Sequence, residues 1–300
     1  MEFNVSFLIK DISERLNVIC EDLVLAKQEA WWFLEKITEK SQVQIALLDK
    51  LELSPSQIAS LNDWINQRVN EKKPIQYILG YVPFCDSMIN VVPPILIPRP
   101  ETEEWVSWLI GKITAIKTIS YTPLNILDLC CGSGCIAIAL AKKFSQFKIM
   151  GSDINPKAIK LSLENKVLNK IENVDFVQSD LFNIFQKNGL KFDLIVSNPP
   201  YISLDKWKDL DESVKFWEDE KALIAENDGL KIYEQIIKSL KFYLKEDSPL
   251  KKYNIPQVVL EIGHKQGNLV KNLLLEDGFC LVEVHKDLEG KDRWVCANLS

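Results

Sequence analysis

The sequence predicts an α/β fold, a doubly wound, Rossmann-like parallel sheet that ends in an antiparallel hairpin and is preceded by a small helical domain. Three observations predict it. From residue 125 onward strand-like apolar runs alternate with helical ones. A turn with two glycines follows the first of these runs. The last two runs, 279–285 and 293–299, are too close in sequence to hold a helix between them, so they pair only as an antiparallel hairpin.

The elements follow in order. From Val5 to about Gly80 apolar residues recur at spacings of three and four, through Leu23, Ala26, Ala30, Phe33, Leu34 and Ile37, with charged residues between them. That spacing lines one face of a helix, so residues 1–84 are expected to form a helical bundle with Trp31, Trp32 and Trp64 in its core. Ser54-Pro55-Ser56-Gln57 reads as a helix start, with Ser54 as N-cap, Pro55 in the first turn and Gln57 closing a capping box. Residues 74–100 are punctuated by proline, and 88–97 alternates as a short hairpin would; 85–98 is read as a linking hairpin that opens a second domain, 85–300. Its strands are expected at Asn125–Leu129, Lys148–Asp153, 174–180 and 192–197, with helices at 134–144 and 156–169. A helix at 230–244, a strand at 258–263, a helix at Gly267–Glu276 and the final hairpin complete it.

Composition bounds the function. The 300 residues are 47% hydrophobic and 26% charged, the ordinary globular range. A net charge of −6 argues against binding nucleic acid through general phosphate attraction. The longest purely apolar run, Cys135 to Ala141, is far shorter than the roughly 20 residues that span a bilayer, and the first ten residues lack a basic region followed by an apolar core. A cytoplasmic monomer away from the membrane is expected, or an organellar matrix protein if the source is eukaryotic. Seven cysteines, an odd number, fit reduced thiols rather than a secreted disulfide framework. Cys130, Cys131 and Cys135 cluster, but no second Cys/His pair stands at a ligand spacing and the only histidines are His264 and His285; no metal is expected.

Two motifs carry chemistry. Asn198-Pro199-Pro200-Tyr201 follows the apolar run 192–197. Proline fixes φ and has no N–H, so the Asn198 side-chain oxygen and the Pro199 carbonyl are acceptors without a local donor. Two acceptors suit the two hydrogens of a substrate NH₂, and the flat face of Tyr201 suits a planar amide or base. A plain proline turn at a strand end is the less favoured reading of the tetrapeptide alone, and its company lowers it further. After the first strand comes Asp128-Leu129-Cys130-Cys131-Gly132-Ser133-Gly134, whose glycines let backbone approach a ligand. The spacing is not that of the dinucleotide fingerprint. Asp153 ends the second strand, where a carboxylate can accept both ribose hydroxyls of an adenosyl group, and Asp180 ends the third beside Leu181, placed for the adenine. Three successive strand ends then face one crevice, where ligands bind in open α/β sheets.

Together with Lys73-Pro74-Ile75-Gln76-Tyr77-Ile78-Leu79-Gly80, Ile97-Pro98-Arg99-Pro100-Glu101-Thr102-Glu103, Ser152-Asp153-Ile154, Glu261-Ile262-Gly263 and the segment 287–293, these motifs resemble the protein-(glutamine-N5) methyltransferases that modify peptide-chain release factors. The resemblance runs nearly the whole chain. It implies a helical N-terminal domain, a class I methyltransferase domain using S-adenosyl-L-methionine, and methylation of the glutamine of a Gly-Gly-Gln tip. It places cofactor contacts at Cys130, Cys131, Gly132, Ser133, Gly134, Asp153, Asp180, Leu181 and Asn198, and the catalytic, glutamine-binding site at Asn198, Pro199, Pro200 and Tyr201. One departure stands in the loop: Cys130 and Cys131 replace the family's usual Gly-Thr. A Cβ at residue 130 is expected to require negative φ or a slightly displaced loop. Two rival activities share the motif. Adenine-N6 DNA methyltransferases also act on a planar NH₂, but no basic target-recognition segment is found here. Ribosomal-protein glutamine methyltransferases typically lack the Glu101-Thr102-Glu103 continuation. The expected partner is therefore a release factor, with no nucleic-acid substrate.

Overall fold

The computed structural model describes residues 1–186 and 189–300. They divide into two compact units, Met1–Tyr81 with Asp211–Trp217, and Val82–Leu210 with Glu218–Ser300.

The first unit is helical, as the apolar periodicity requires. Its longer helices are Val5–Cys20, Leu23–Thr38 and Pro55–Val69. Asn4, Asp22 and Ser54 cap them with side-chain oxygens, and Ser54 with Gln57 forms the expected capping box. Leu16, Ala26, Ala30, Phe33 and Leu34 are fully buried. Trp31 is buried with them, while Trp32 and Trp64 pack on the core from its margin. The helical reading missed two short strands, β1 (Glu2–Asn4) and β2 (Lys50–Glu52), which pair antiparallel with Phe3 opposite Leu51. Three residues are too few for a period to register in sequence. It also missed an interhelical ion pair: Arg68 grips Glu29, 2% exposed, through Nε and Nη2 at 2.8 and 2.9 Å.

The hairpin expected at 88–97 lies earlier. Strands β3 (Tyr81–Phe84) and β4 (Ser87–Asn90) form it, turning at Cys85 and Asp86, with Cys85 at φ +48°. The prolines at 93, 94 and 98 lack the N–H a ladder needs, so the chain beyond Asn90 cannot supply the second strand.

The second unit is built on a seven-stranded sheet. Its strands are β5 (Asn125–Leu129), β6 (Lys148–Asp153), β7 (Val174–Gln178), β8 (Leu194–Ser197), β9 (Val258–Glu261), β10 (Phe279–Lys286) and β11 (Asp292–Leu299), in the order β10-β11-β9-β8-β5-β6-β7. β5 to β9 are parallel; β11 runs antiparallel to β9, and β10 to β11. The central β8 and β9 are buried at every position, as covering by helices on both faces demands. The chain leaves β5 toward β6 and β7, then returns to the other side of β5 as β8. That reversal is a topological switch point, and the crevice opens at the strand ends beside it.

Candidate functional site

Strand β5 delivers the chain at Leu129 into the turn Cys130 to Gly134, and the helix Cys135–Lys143 begins with Gly134 at φ +79° as its cap. The turn is closed by the Cys131 N–H on the Ser152 carbonyl (3.0 Å) and the Gly134 N–H on the Cys131 carbonyl (2.8 Å). Cys130 corrects the expectation for its position. It does not take negative φ, the first of the two alternatives, but sits at φ +58° in the left-handed region, a cost of about 1–2 kcal/mol for a residue with a Cβ. Burial, reinforced by the Asp153 charge, pushes its thiol well above the ordinary cysteine range; burial does the same to Cys131 and Cys135. These thiols are protonated at neutral pH and are poor nucleophiles.

The glycines differ in purpose. A Cβ on Gly132 would meet nothing within 4 Å, whereas one on Gly134 would come within 2.8 Å of Phe176 and Ser162, and one on Gly151 within 2.5 Å of the Phe176 ring. Gly134 and Gly151 are required by packing. Gly132 keeps open space beside the crevice, which it lines.

The crevice encloses about 530 Å³, inside the range of small-molecule sites. Of the residues named from sequence, Cys130, Gly132, Asp153, Asp180, Leu181, Asn198 and Pro200 line it. Cys131, Ser133 and Pro199 are buried residues of the same two segments, and Tyr201 packs against the core cluster. Asp153 is held by backbone: Gly132 N–H donates to Oδ2 (2.9 Å) and Asn155 N–H to Oδ1 (2.8 Å). A carboxylate offers about four acceptor positions, so each oxygen keeps one for a ligand hydroxyl. Its burial raises its pKa, opposed by those two N–H donors. Pro94, Ile95 and Leu96 line the crevice with Asp219 and Ala222; the Asp219 N–H donates to the Pro94 carbonyl (2.8 Å), and Arg99 reaches both oxygens of the buried Glu218 at 2.7 and 2.6 Å.

The orientation of Asn198 comes from residues to which sequence reasoning assigned no role. Glu261, at the end of β9 and 1% exposed, accepts from Thr102 Oγ1 (2.7 Å) and Trp105 Nε1 (2.8 Å) on Oε2, and from Tyr201 Oη (3.3 Å) on Oε1. Indole N–H only donates, so Oε2 is an acceptor and takes the Thr102 proton as well. Thr102 Oγ1 then accepts from Asn198 Nδ2 (3.3 Å). With Nδ2 turned to Thr102, Asn198 Oδ1 is the atom left free to accept. The Tyr201 backbone is pinned by Gln266, whose Nε2 donates to the Tyr201 carbonyl (3.0 Å) while its Oε1 accepts from the Gly263 N–H (2.9 Å). Burial raises the Glu261 carboxyl pKa against the Trp105 and Thr102 donors, and burial with the Glu261 charge raises the Tyr201 hydroxyl. A sequence signal existed for Glu261: an acid closing an otherwise apolar strand, Val-Val-Leu-Glu.

The absence of metal-ligand spacings in the sequence does not carry over to space. The β10–β11 hairpin brings Glu283, His285 and Cys296 together, with ligand atoms all within 4.8 Å of one another. Among the described residues no helix is long and apolar enough to cross a membrane.

Family models described as "Methyltransferase small domain" and "PrmC N-terminal domain" match residues 113–230 and 9–80. A release factor glutamine methyltransferase of Thermodesulfovibrio yellowstonii is 40% identical over 242 residues, 81% of this chain and 82% of that protein. Another, from Bacillus subtilis, is 42% identical over 230 residues, 76% of each. Among solved structures, the hMettl16 catalytic domain in complex with MAT2A 3'UTR hairpin 1 aligns with a TM-score of 0.50 at 14% identity, over 83% of this chain and 82% of that one, a likeness of fold alone.

Proposed function

Since the chain belongs to the release factor glutamine methyltransferase family, with a class I S-adenosylmethionine-dependent methyltransferase fold, we infer that it methylates the side-chain amide nitrogen of the glutamine in the Gly-Gly-Gln motif of peptide-chain release factors. The observation that carries the reading is the orientation of Asn198: a side-chain amide held by Thr102 and Glu261 so that its oxygen is the free acceptor at the crevice.

The residues present suit S-adenosyl-L-methionine. Asp153, with one free acceptor position on each oxygen, would hold the ribose hydroxyls; the Asp180-Leu181 pair would hold the adenine; the open space at Gly132 admits the chain of the amino acid. When bound there, the cofactor would supply an electrophilic methyl group on a sulfonium whose leaving group is a neutral thioether. The protein's task lies with the other reactant. An amide nitrogen is a weak nucleophile because its lone pair is delocalised. Asn198 Oδ1 and the Pro199 carbonyl, accepting from the two amide hydrogens, would hold the nitrogen in line and bond more strongly as positive charge develops there, and one of those hydrogens would then leave as a proton to solvent. That is transition-state binding joined to positioning. A release-factor substrate places the reaction in the compartment where translation runs. The helical unit, Met1–Tyr81, holds none of the crevice residues, and we assign it recognition of the protein substrate, since a small mouth cannot supply the contact area that placing a large partner needs.

The test is incubation of the full chain with labelled cofactor and, separately, a release factor, ribosomal proteins and DNA. Label on the release-factor glutamine, lost in an Asn198→Ala variant, is expected. Label confined to ribosomal protein or DNA would replace this reading with one of its rivals.

A further inference from the structure

Away from the crevice residues, the hairpin of β10 and β11 gathers a second set of chemically capable side chains. Glu283 and His285 stand two apart on β10, and Trp294 and Cys296 two apart on β11, so each pair shares a face of its strand. The register sets Glu283 opposite Cys296 and His285 opposite Trp294. His285 Nε2 lies 3.3 Å from Cys296 Sγ and 3.4 Å from Glu283 Oε2. The imidazole is stacked on Trp294, with centroids 5.2 Å apart and an interplanar angle of 8°, and is flanked by Trp108 at 4.8 Å.

Two readings of a Cys-His-Glu group compete. A nucleophilic relay uses both ring nitrogens, one toward the thiol and the other toward the acid. Here thiol and carboxylate approach the same nitrogen, which is the arrangement of three ligands about a common centre. A tetrahedral ion with bonds of about 2.0 Å to nitrogen and oxygen and about 2.3 Å to sulfur holds its ligand atoms roughly 3.3–3.6 Å apart. The two separations from His285 Nε2, 3.3 and 3.4 Å, match that spacing before any ion enters, and the thiol and carboxylate, within 4.8 Å of each other, would draw together on binding it.

We propose that Glu283, His285 and Cys296 form a site for a thiophilic divalent cation, zinc by its chemistry, with water as the fourth ligand. Thiolate and imidazole select such an ion over magnesium or calcium, which take all-oxygen sites. Burial of Cys296 is compatible, because ligation exchanges the thiol proton for the metal. The location gives the ion work to do. The β10–β11 ladder is irregular on both sides of this segment, with register shifts between Cys280 and Glu283 and between His285 and Lys286, so an ion bridging the strands would clip the sheet's outer edge.

The experiment titrates the full chain with zinc against a competing chelator and, in parallel, with cobalt(II) as a spectroscopic substitute. One ion per chain is expected, with a sulfur-to-cobalt charge-transfer band and a rise in melting temperature on adding zinc. Cys296→Ser should abolish the band, and Glu283→Ala, at an exposed position where folding is not at stake, should weaken zinc binding at least tenfold; Cys280→Ser should change neither. No binding at micromolar zinc, a band that survives Cys296→Ser, or full affinity in Glu283→Ala would each overturn the site.

Discussion

Asn198 is set from behind: Glu261 orients Thr102, and Thr102 orients the Asn198 amide. Removing the amide should therefore act mainly on the transition state. Asn198→Ala is expected to lower turnover by roughly 10²-fold or more, with much less effect on cofactor binding, by comparison with losing one preorganised hydrogen bond. Thr102→Val leaves Asn198 in place but removes the group that selects its orientation. It should lower kcat, with cofactor affinity retained, at a stability cost of about 1–3 kcal/mol, because Asn198 Nδ2 loses its acceptor while Glu261 Oε2 keeps only the Trp105 donor. Single-turnover kinetics beside a direct cofactor titration check both. Full turnover in Thr102→Val would mean that the Asn198 amide is held by something else.

At the scale of elements, the loop after β5 and the strands that carry it make separable demands. Gly132→Ala adds a Cβ to open space at φ +53°, so it should cost about 1–2 kcal/mol in backbone strain yet weaken cofactor binding. Gly151→Ala drives a Cβ into the Phe176 ring and should cost more stability than Gly132→Ala, through overpacking of up to about 3 kcal/mol. Paired denaturant curves and cofactor titrations of the two variants test the distinction; equal stability losses would refute it. Asp128, inside β5, makes a pH prediction. It is fully buried, its Oδ2 accepts from the Ala137 N–H (3.1 Å), its Oδ1 has no partner, and burial raises its pKa well above the carboxylate range. A folded-state pKa above the unfolded one means the native chain holds the proton more tightly. That contribution is whole below the unfolded value and is lost as pH rises through the folded one. Asp128→Asn, which stays neutral, should thus gain stability relative to the parent as pH rises above the ordinary carboxylate value of about 4, read as diverging melting temperatures. Parallel profiles would show that Asp128 does not titrate in this range.

At the scale of the whole molecule, the first unit includes a piece of chain far from it in sequence. Within that unit the Trp217 Nε1 donates to the Glu71 carbonyl (2.9 Å), Lys72 pairs with Glu212, and Lys73 stands 5.0 Å over the Trp217 ring. A chain starting near Asp86 loses all three partners. Limited proteolysis should cut it in Asp211–Trp217, where the full chain resists. If this chain folds, it should keep cofactor binding and lose most of its rate on an intact release factor, but much less on a short Gly-Gly-Gln peptide. Equal proportional losses on both substrates would make the helical unit a folding support rather than a recognition surface.

Sequence alone determined what depends on local pattern and on residue type. The period of apolar residues announced helices before strands, the distance between 279–285 and 293–299 forced an antiparallel close, and Asp153 and the Asn198 tetrapeptide announced themselves as strand-end polar groups. Elements too short to repeat a period escaped it, as the three-residue β1 and β2 did, and so did the hairpin at β3 and β4, where alternation at 88–97 pointed past the true turn. Tertiary structure alone decided everything that needs residues far apart in the chain to meet. Thr102 and Glu261 converge because the helix Pro100–Thr114 packs where β9 ends, and that meeting turns an asparagine into an oriented acceptor. Glu283 and Cys296 become neighbours only through strand register. Cys130 accepts a left-handed φ because the packing around the loop outweighs the strain of one residue. Pattern is a property of neighbours in sequence, while orientation, pKa and coordination are properties of neighbours in space.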